Sequence, residues 1–231
     1  MQRRKFTSGL VSVGGLWPLV AWQAAGAAGL TESDAALGVR AALERGAVAA
    51  VGLLGRRGGF LDNPKVHIPL PGYLDDAAKV LKMLGQRRRV DELVTAMNRA
   101  AETAVPEAKT LLLNAVKAMS VEDARRVITG GDGSVTRFFA AKTRAPLAVK
   151  FLPIVTRATE RVALADKYNA VAAKAAGLGL VDKDDANIQQ YVTGKALDGL
   201  YLVIGEEEHK IRQDPVGTGS AILKKVFGAL R

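Results

Sequence analysis

The sequence predicts an all-α fold: a single multi-helix, bundle-like domain with a proline-containing extended loop, preceded by a cleavable signal peptide. Three observations predict it. Past residue 30, nearly every segment places its apolar residues at helical spacing, and no alternating run is long enough for a convincing strand. Glycines, prolines and capping residues punctuate the chain at intervals of about one helix. Cysteine is absent, so no disulfide helps to hold the fold and the core must do so.

The first 30 residues read as an export signal. Arg3, Arg4 and Lys5 form a positive start, and no charge occurs from Phe6 to Leu30. Ala25 and Ala27 flank Gly26 and offer the small residues a signal peptidase needs, so cleavage is expected after Ala27. Arg3 and Arg4, followed one residue later by Phe6, resemble a twin-arginine signal, and Gly14, Gly15 and Pro18 give the modest hydropathy that suits it. The domain organisation read from this is a leader over 1–27 and one helical domain over 28–231. The expected location is periplasmic, with membrane contact only transient, through the signal. Two alternatives stay open: the general secretory route, and an uncut inner-membrane anchor through residues 7–30.

The chain has 33 basic and 23 acidic residues. Three of the basic ones lie in the leader, which leaves 30 against 23 in the remainder. A basic exported protein can meet anionic headgroups or envelope polymers. Nucleic acid, the other partner of basic proteins, is not expected after export.

The elements follow in order. Thr31 and Asp34 fit a capping box before the first helix, whose apolar stripe is read as Leu37, Ala41, Val48 and Val51. "GRRGGF" ends it. In "GGFLDNPKVHIPLPGYL", Pro64, Pro69 and Pro71 rule out a helix interior, while Phe60, Val66, Ile68 and Leu70 call for packing against the helices. Leu74 to Leu84 reads as a helix stopped by Gly85. Val90, Leu93, Val94, Met97, Ala101 and Ala104 mark the next face, and Pro106 opens a helix carrying Leu111, Leu112, Ala115 and Met119. Ser120 and Asp123 form a second capping box before a short helix that ends at Gly130. A brief helix with Val135, Phe138 and Phe139 is expected next. A long pattern then runs from Pro146 to Ala176, and Pro153 should kink or break it. Asp182, Asp184 and Asp185 precede the last long helix as its caps. "SAILKKVFGALR" reads as a small amphipathic helix at the C-terminus.

The search for chemistry yields no catalytic residue, metal site or cofactor. Two histidines are too few for a histidine-rich metal site, and "GDGSV" and "GTGSA" fail the nucleophile-elbow pattern. "DKDDAN" starts like a calcium loop but lacks its later ligands. The candidates that remain are polar residues on apolar faces. Asp198 and Glu208 lie in the last long helix, and Glu208 shares a stripe with Leu197, Leu200, Tyr201, Ile204 and Ile211. Burying such a carboxylate demands a partner. Arg125, Arg126, Lys150, Arg157 and Arg161 are candidates, and the alternatives are a pocket or a structural ion pair or helix cap. Asn98 and Glu102 form an i,i+4 pair beside Met97, either lining a pocket or paired on the surface. Arg87, Arg88 and Arg89 open a helix where the dipole disfavours cations, which makes them the candidate anion contact.

Longer motifs carry a resemblance. "GGFLDNPKVHIPLP", "MNRAAETAVPEAK", "AMSVEDARRVITGGDGSVTRFF" and "YVTGKALDGLYLVIGEEEHKIRQDP" resemble the bacterial domain-of-unknown-function family 4197, over about Leu37 to Gly228. The resemblance implies an exported, mainly helical protein and brings no catalytic residues. The functional expectation is a non-enzymatic binding or envelope-associated protein whose ligand is small and hydrophobic or anionic, or an envelope component. The alternatives are an interaction module acting through a basic surface and an enzyme using helix-borne carboxylates.

The leader makes a direct prediction. Mass spectrometry of the exported protein should find an N-terminus near Ala28, and an intact Met1 in a membrane fraction would contradict cleavage. Replacing Arg3 and Arg4 by Lys should block export by the twin-arginine route, whereas the general route tolerates lysine.

Overall fold

The computed structural model describes residues 32–74, 78–79, 82–177 and 187–214. Its helices are α1 (Glu32–Leu54), α2 (Arg87–Ala104), α3 (Ala108–Lys117), α4 (Val121–Thr129), α5 (Ser134–Thr159), α6 (Ala163–Gly177) and α7 (Ile188–Gln213). Short 3-10 turns cover Gly72–Leu74 and Val105–Glu107, and a π-type turn covers Lys82–Gln86. The domain is all-α, with no strand among the described residues. The leader, the first capping box, the three aspartates before α7 and the C-terminal dodecapeptide lie outside the described residues.

The antiparallel pair α5–α7 forms the centre. α1 lies on α7 and also meets α3 and α4, while α2 covers α5 and α7 from the other side. The buried ridge of α5 is strict in its spacing: Val135, Phe139, Thr143, Leu147, Phe151, Val155 and Thr159 follow every fourth position. Facing it, α7 buries Leu197, Leu200, Tyr201 and Ile204. Thr143 Oγ1 and Tyr201 OH meet at 2.9 Å inside this interface, so neither hydroxyl is left unpaired. Burial pushes the Tyr201 phenol above its usual value, and the bond to Thr143 offsets this only in part.

Three elements differ from the sequence reading. The brief helix at Val135 and the long pattern beyond Pro146 are one helix, α5, and it breaks after Thr159 instead of at Pro153. Pro146 and Pro153 both sit on its solvent face. The carbonyls they deprive of an N–H partner belong to Lys142 and Val149, which are also exposed, so water can serve them and the helix continues. In α1 the core stripe is Ala36, Val39, Leu43, Ala47, Ala50 and Leu54, whereas Leu37 and Val48 are 48% and 43% exposed. The small residues carry the packing there because α1 has neighbours on several sides and lies close to them. Finally, α2 and α3 are joined by a single 3-10 turn through Pro106, with no intervening loop.

Other boundaries follow from local chemistry. Ser120 and Asp123 exchange both bonds of a capping box at the start of α4. Asn187 caps α7 by accepting from the N–H groups of Gln189 and Gln190, and Asn169 of α6 accepts from Ile188 N. α7 stops at Gln213, two residues before Pro215.

Leu200 is fully buried at the centre of α7. Leu200→Ala should cost ~2–5 kcal/mol in urea unfolding. Val149→Ala, on the exposed face of α5, should stay within ~0.5 kcal/mol. Equal effects would contradict the central placement of α7.

Candidate functional site

The polar candidates separate into two buried clamps and one open groove. The first clamp explains the proline loop. Within residues 55–71, turn bonds such as Asp62 N to Gly58 O and His67 N to Asn63 O satisfy part of the backbone, but not the N–H groups of Gly58, Phe60, Leu61 and Ile68. α2 supplies what is missing. Glu102 Oε1 accepts from the backbone N–H groups of Gly58, Phe60 and Leu61 at 3.1, 3.1 and 3.0 Å. Its Oε2 accepts from Arg99 at 2.6 Å. One turn earlier, Asn98 pairs with Ile68 at two points: Oδ1 accepts from Ile68 N and Nδ2 donates to Ile68 O, both at 2.9 Å. The extended stretch at Val66, Ile68 and Leu70 thus finds its partner in a side-chain amide where a strand would otherwise stand. Asn98 and Glu102 are buried and do not bond each other, so the surface-pair reading is corrected.

The second clamp holds the other end of the bundle. α5 begins after Gly133, which has no side chain to cap the helix. Glu208 of α7 does this from outside: its Oε1 lies 3.3 Å from Val135 N and 3.2 Å from Ser134 Oγ. The cationic partner is Arg212, one turn along the same helix, with Nε 3.0 Å from Oε1. It is none of the basic residues expected from other helices. Arg212 also donates to Val127 O at 2.8 Å and Ser134 Oγ at 2.7 Å, which ties α7 to the ends of α4 and α5. Glu208 Oε2 is buried without a hydrogen-bond partner and borders a cavity of about 20 Å3 lined by Leu43, Val135 and Ile204. That space is about the size of one water.

Asp198 is corrected outright. It lies at the surface, half-exposed, and pairs with Arg144 at 2.7 Å. The apolar residues around it in sequence turn inward on either side, and its own Cβ faces out. Glu206 and Glu207 pair with Lys65 and Lys210, each at 2.6 Å.

The groove is different in kind. It is open, about 1200 Å3, and bordered by Arg87, Arg88, Arg89, Arg161 and Lys167 against the carboxylates Asp91 and Glu92. Arg88 pairs with Glu92 at 2.9 Å and Arg87 more loosely with Asp91 at 3.7 Å. Among the described residues, Arg89, Arg161 and Lys167 have no carboxylate partner. The first turn of α2 holds no acid, and Gln86 does not cap it through its side chain. The positive end of the α2 dipole therefore adds to the field of the arginines. Arg161 and Lys167 come from the α5–α6 junction, far away in sequence, and no local pattern marks them. Arg212, by contrast, was legible as the i+4 partner of Glu208. No cluster of His, Cys, Asp or Glu suited to a metal occurs among the described residues. Arg3, Arg4, Phe6, Ala25 and Ala27 lie outside them.

The fold and its clamps define a helical domain with a basic surface groove. The chain belongs to the family described as protein of unknown function (DUF4197), whose model matches residues 29–228. No curated protein and no solved structure matches it.

The Glu102 clamp has a pH signature. Burial opposes ionisation of Glu102, but the N–H groups of Leu61 and Phe60 and the Arg99 guanidinium outweigh it and hold the carboxyl below its usual 4.5. A depressed folded pKa gives stability that is fully present above the unfolded value and lost as pH falls through the folded one. Glu102→Gln should therefore cost ~1–3 kcal/mol at neutral pH. The gap to the unsubstituted protein should close as urea melts are carried below pH 4.5. A gap that is constant with pH would contradict the ionised clamp.

Proposed function

We propose that this is an exported, non-enzymatic protein that binds an anionic ligand in the groove between the start of α2 and the α5–α6 junction. One observation carries the reading: Arg89, Arg161 and Lys167 face a common groove without carboxylate partners among the described residues. Cations brought together from distant parts of a chain repel each other, and an anion relieves that repulsion. Glu160 and Asp166, the acids nearest to Arg161 and Lys167 in sequence, do not border the groove. The charge pattern of residues 1–30 supports export and a periplasmic location.

The enzymatic alternative finds less support. Its carboxylates are spoken for: Asp198 pairs with Arg144 at the surface, and Glu208 serves Val135 and Arg212. The small apolar ligand also finds less support, since the cavity beside Glu208 has room for little more than a water.

The test uses inorganic polyphosphate as the probe, titrated calorimetrically at two salt concentrations. The protein should bind it, more weakly at higher salt. Combining Arg89→Ala, Arg161→Ala and Lys167→Ala should lower the affinity by tenfold or more, about 1.4 kcal/mol. Arg125→Ala, which does not border the groove, should not. Equal affinity for both variants would show that binding is a property of net charge and not of the groove.

A further inference from the structure

The turn that leads into the groove carries two apolar side chains in water. Met83 is 79% exposed and Leu84 70%, among the most exposed large apolar residues described. They are adjacent, and they sit where the chain leaves helical geometry. Leu84 has φ −81° and ψ 16°, and Gly85 has φ 74°, a left-handed value that glycine adopts without strain. The chain then turns straight into Arg87, Arg88 and Arg89, and Gly85 itself borders the groove. An apolar tip and a cationic collar are therefore one continuous surface, built by a seven-residue stretch and completed by Arg161 and Lys167.

A free polyanion or phosphate would satisfy the cations and leave Met83 and Leu84 as they are. An anionic bilayer surface satisfies both. Its phosphates meet the guanidinium and ammonium groups, while the boundary between headgroup and acyl chain takes in the apolar tip. Val149 is exposed to a similar degree, but it lies on α5 beside a groove whose charged residue, Arg144, is already paired with Asp198. It offers no such combination. No helix among the described residues is long and apolar enough to cross a membrane, so contact through this surface would be peripheral.

We infer that the anionic partner of the groove is a lipid surface and that Met83 and Leu84 insert into it. The inference rests on the anion-binding reading above and adds the identity of the ligand. The measurement is flotation of the full chain with vesicles of equimolar phosphatidylglycerol and phosphatidylcholine, compared with pure phosphatidylcholine. Binding through residues 1–30, whose Arg3, Arg4 and Lys5 also favour the anionic vesicles, is common to all variants and is removed by comparing variants on the same vesicles. Combining Met83→Ser and Leu84→Ser should reduce the phosphatidylglycerol-dependent partition by about tenfold or more. It should leave polyphosphate affinity within about twofold, because it changes no charge. The swap Met83→Leu with Leu84→Met keeps the apolar tip and should retain partition. The groove triple variant should lose both kinds of binding. Unchanged partition of the serine variant, with polyphosphate binding intact, overturns the lipid inference and leaves the anion groove standing. Absence of polyphosphate binding by the unsubstituted protein overturns both.

Discussion

The fold depends on how α2 satisfies the backbone groups that the proline loop leaves open. The proline loop between α1 and the first 3-10 turn closes several bonds of its own, but leaves the N–H groups of Gly58, Phe60, Leu61 and Ile68 to be received from elsewhere. Glu102 collects three of these groups on one carboxylate oxygen, and Asn98 takes both sides of Ile68. Once held, the loop becomes part of the core. Phe60 and Ile68 are fully buried, and Tyr191 of α7 donates to Pro69 O at 3.2 Å. The loop lies so close to α7 that a Cβ on Gly199 would come within 2.8 Å of the Phe60 ring. A glycine in the middle of a helix costs about 1 kcal/mol relative to alanine, and here that cost is offset by the approach it permits.

Glu208 applies the same solution at the opposite end. It completes the start of α5, where Gly133 has nothing to offer, and Arg212 keeps its charge compensated. Losing either member would leave a buried group without its partner, which costs more than the pair itself contributes. Both buried carboxylates are thus occupied by backbone. Among the described residues, Arg89, Arg161 and Lys167 of the groove remain without carboxylate partners.

The groove owes its character to an electrostatic conflict that the described residues do not resolve among themselves. Three arginines stand at the positive end of α2, and only two of them have an acid one turn away. The α5–α6 break then brings Arg161 and Lys167 to the same place. Exposed ion pairs contribute little to stability, so these charges are a poor means of holding the bundle together. On the proposed reading they attract an anion, and the neighbouring apolar turn narrows the kind of surface they suit.

The sequence by itself determined the helical class, the proline loop (read as 56–72), the capping box at Ser120 and the inward face of α7 that carries Glu208. These follow from spacing, from proline chemistry and from short-range hydrogen bonding, all of which act within one or two turns. Only the tertiary structure decided what α5 does at its prolines, because that depends on whether the freed carbonyls face water or protein. It also decided that Asn98 and Glu102 face the loop and not each other, and that Asp198 faces out while its neighbours face in. A helix with apolar residues on most sides does not disclose its inner face until its neighbours are in place. The groove was half legible. Arg87, Arg88 and Arg89 stand together in the sequence, but Arg161 and Lys167 join them only through the packing of α2 against the α5–α6 junction, and no local pattern encodes that meeting.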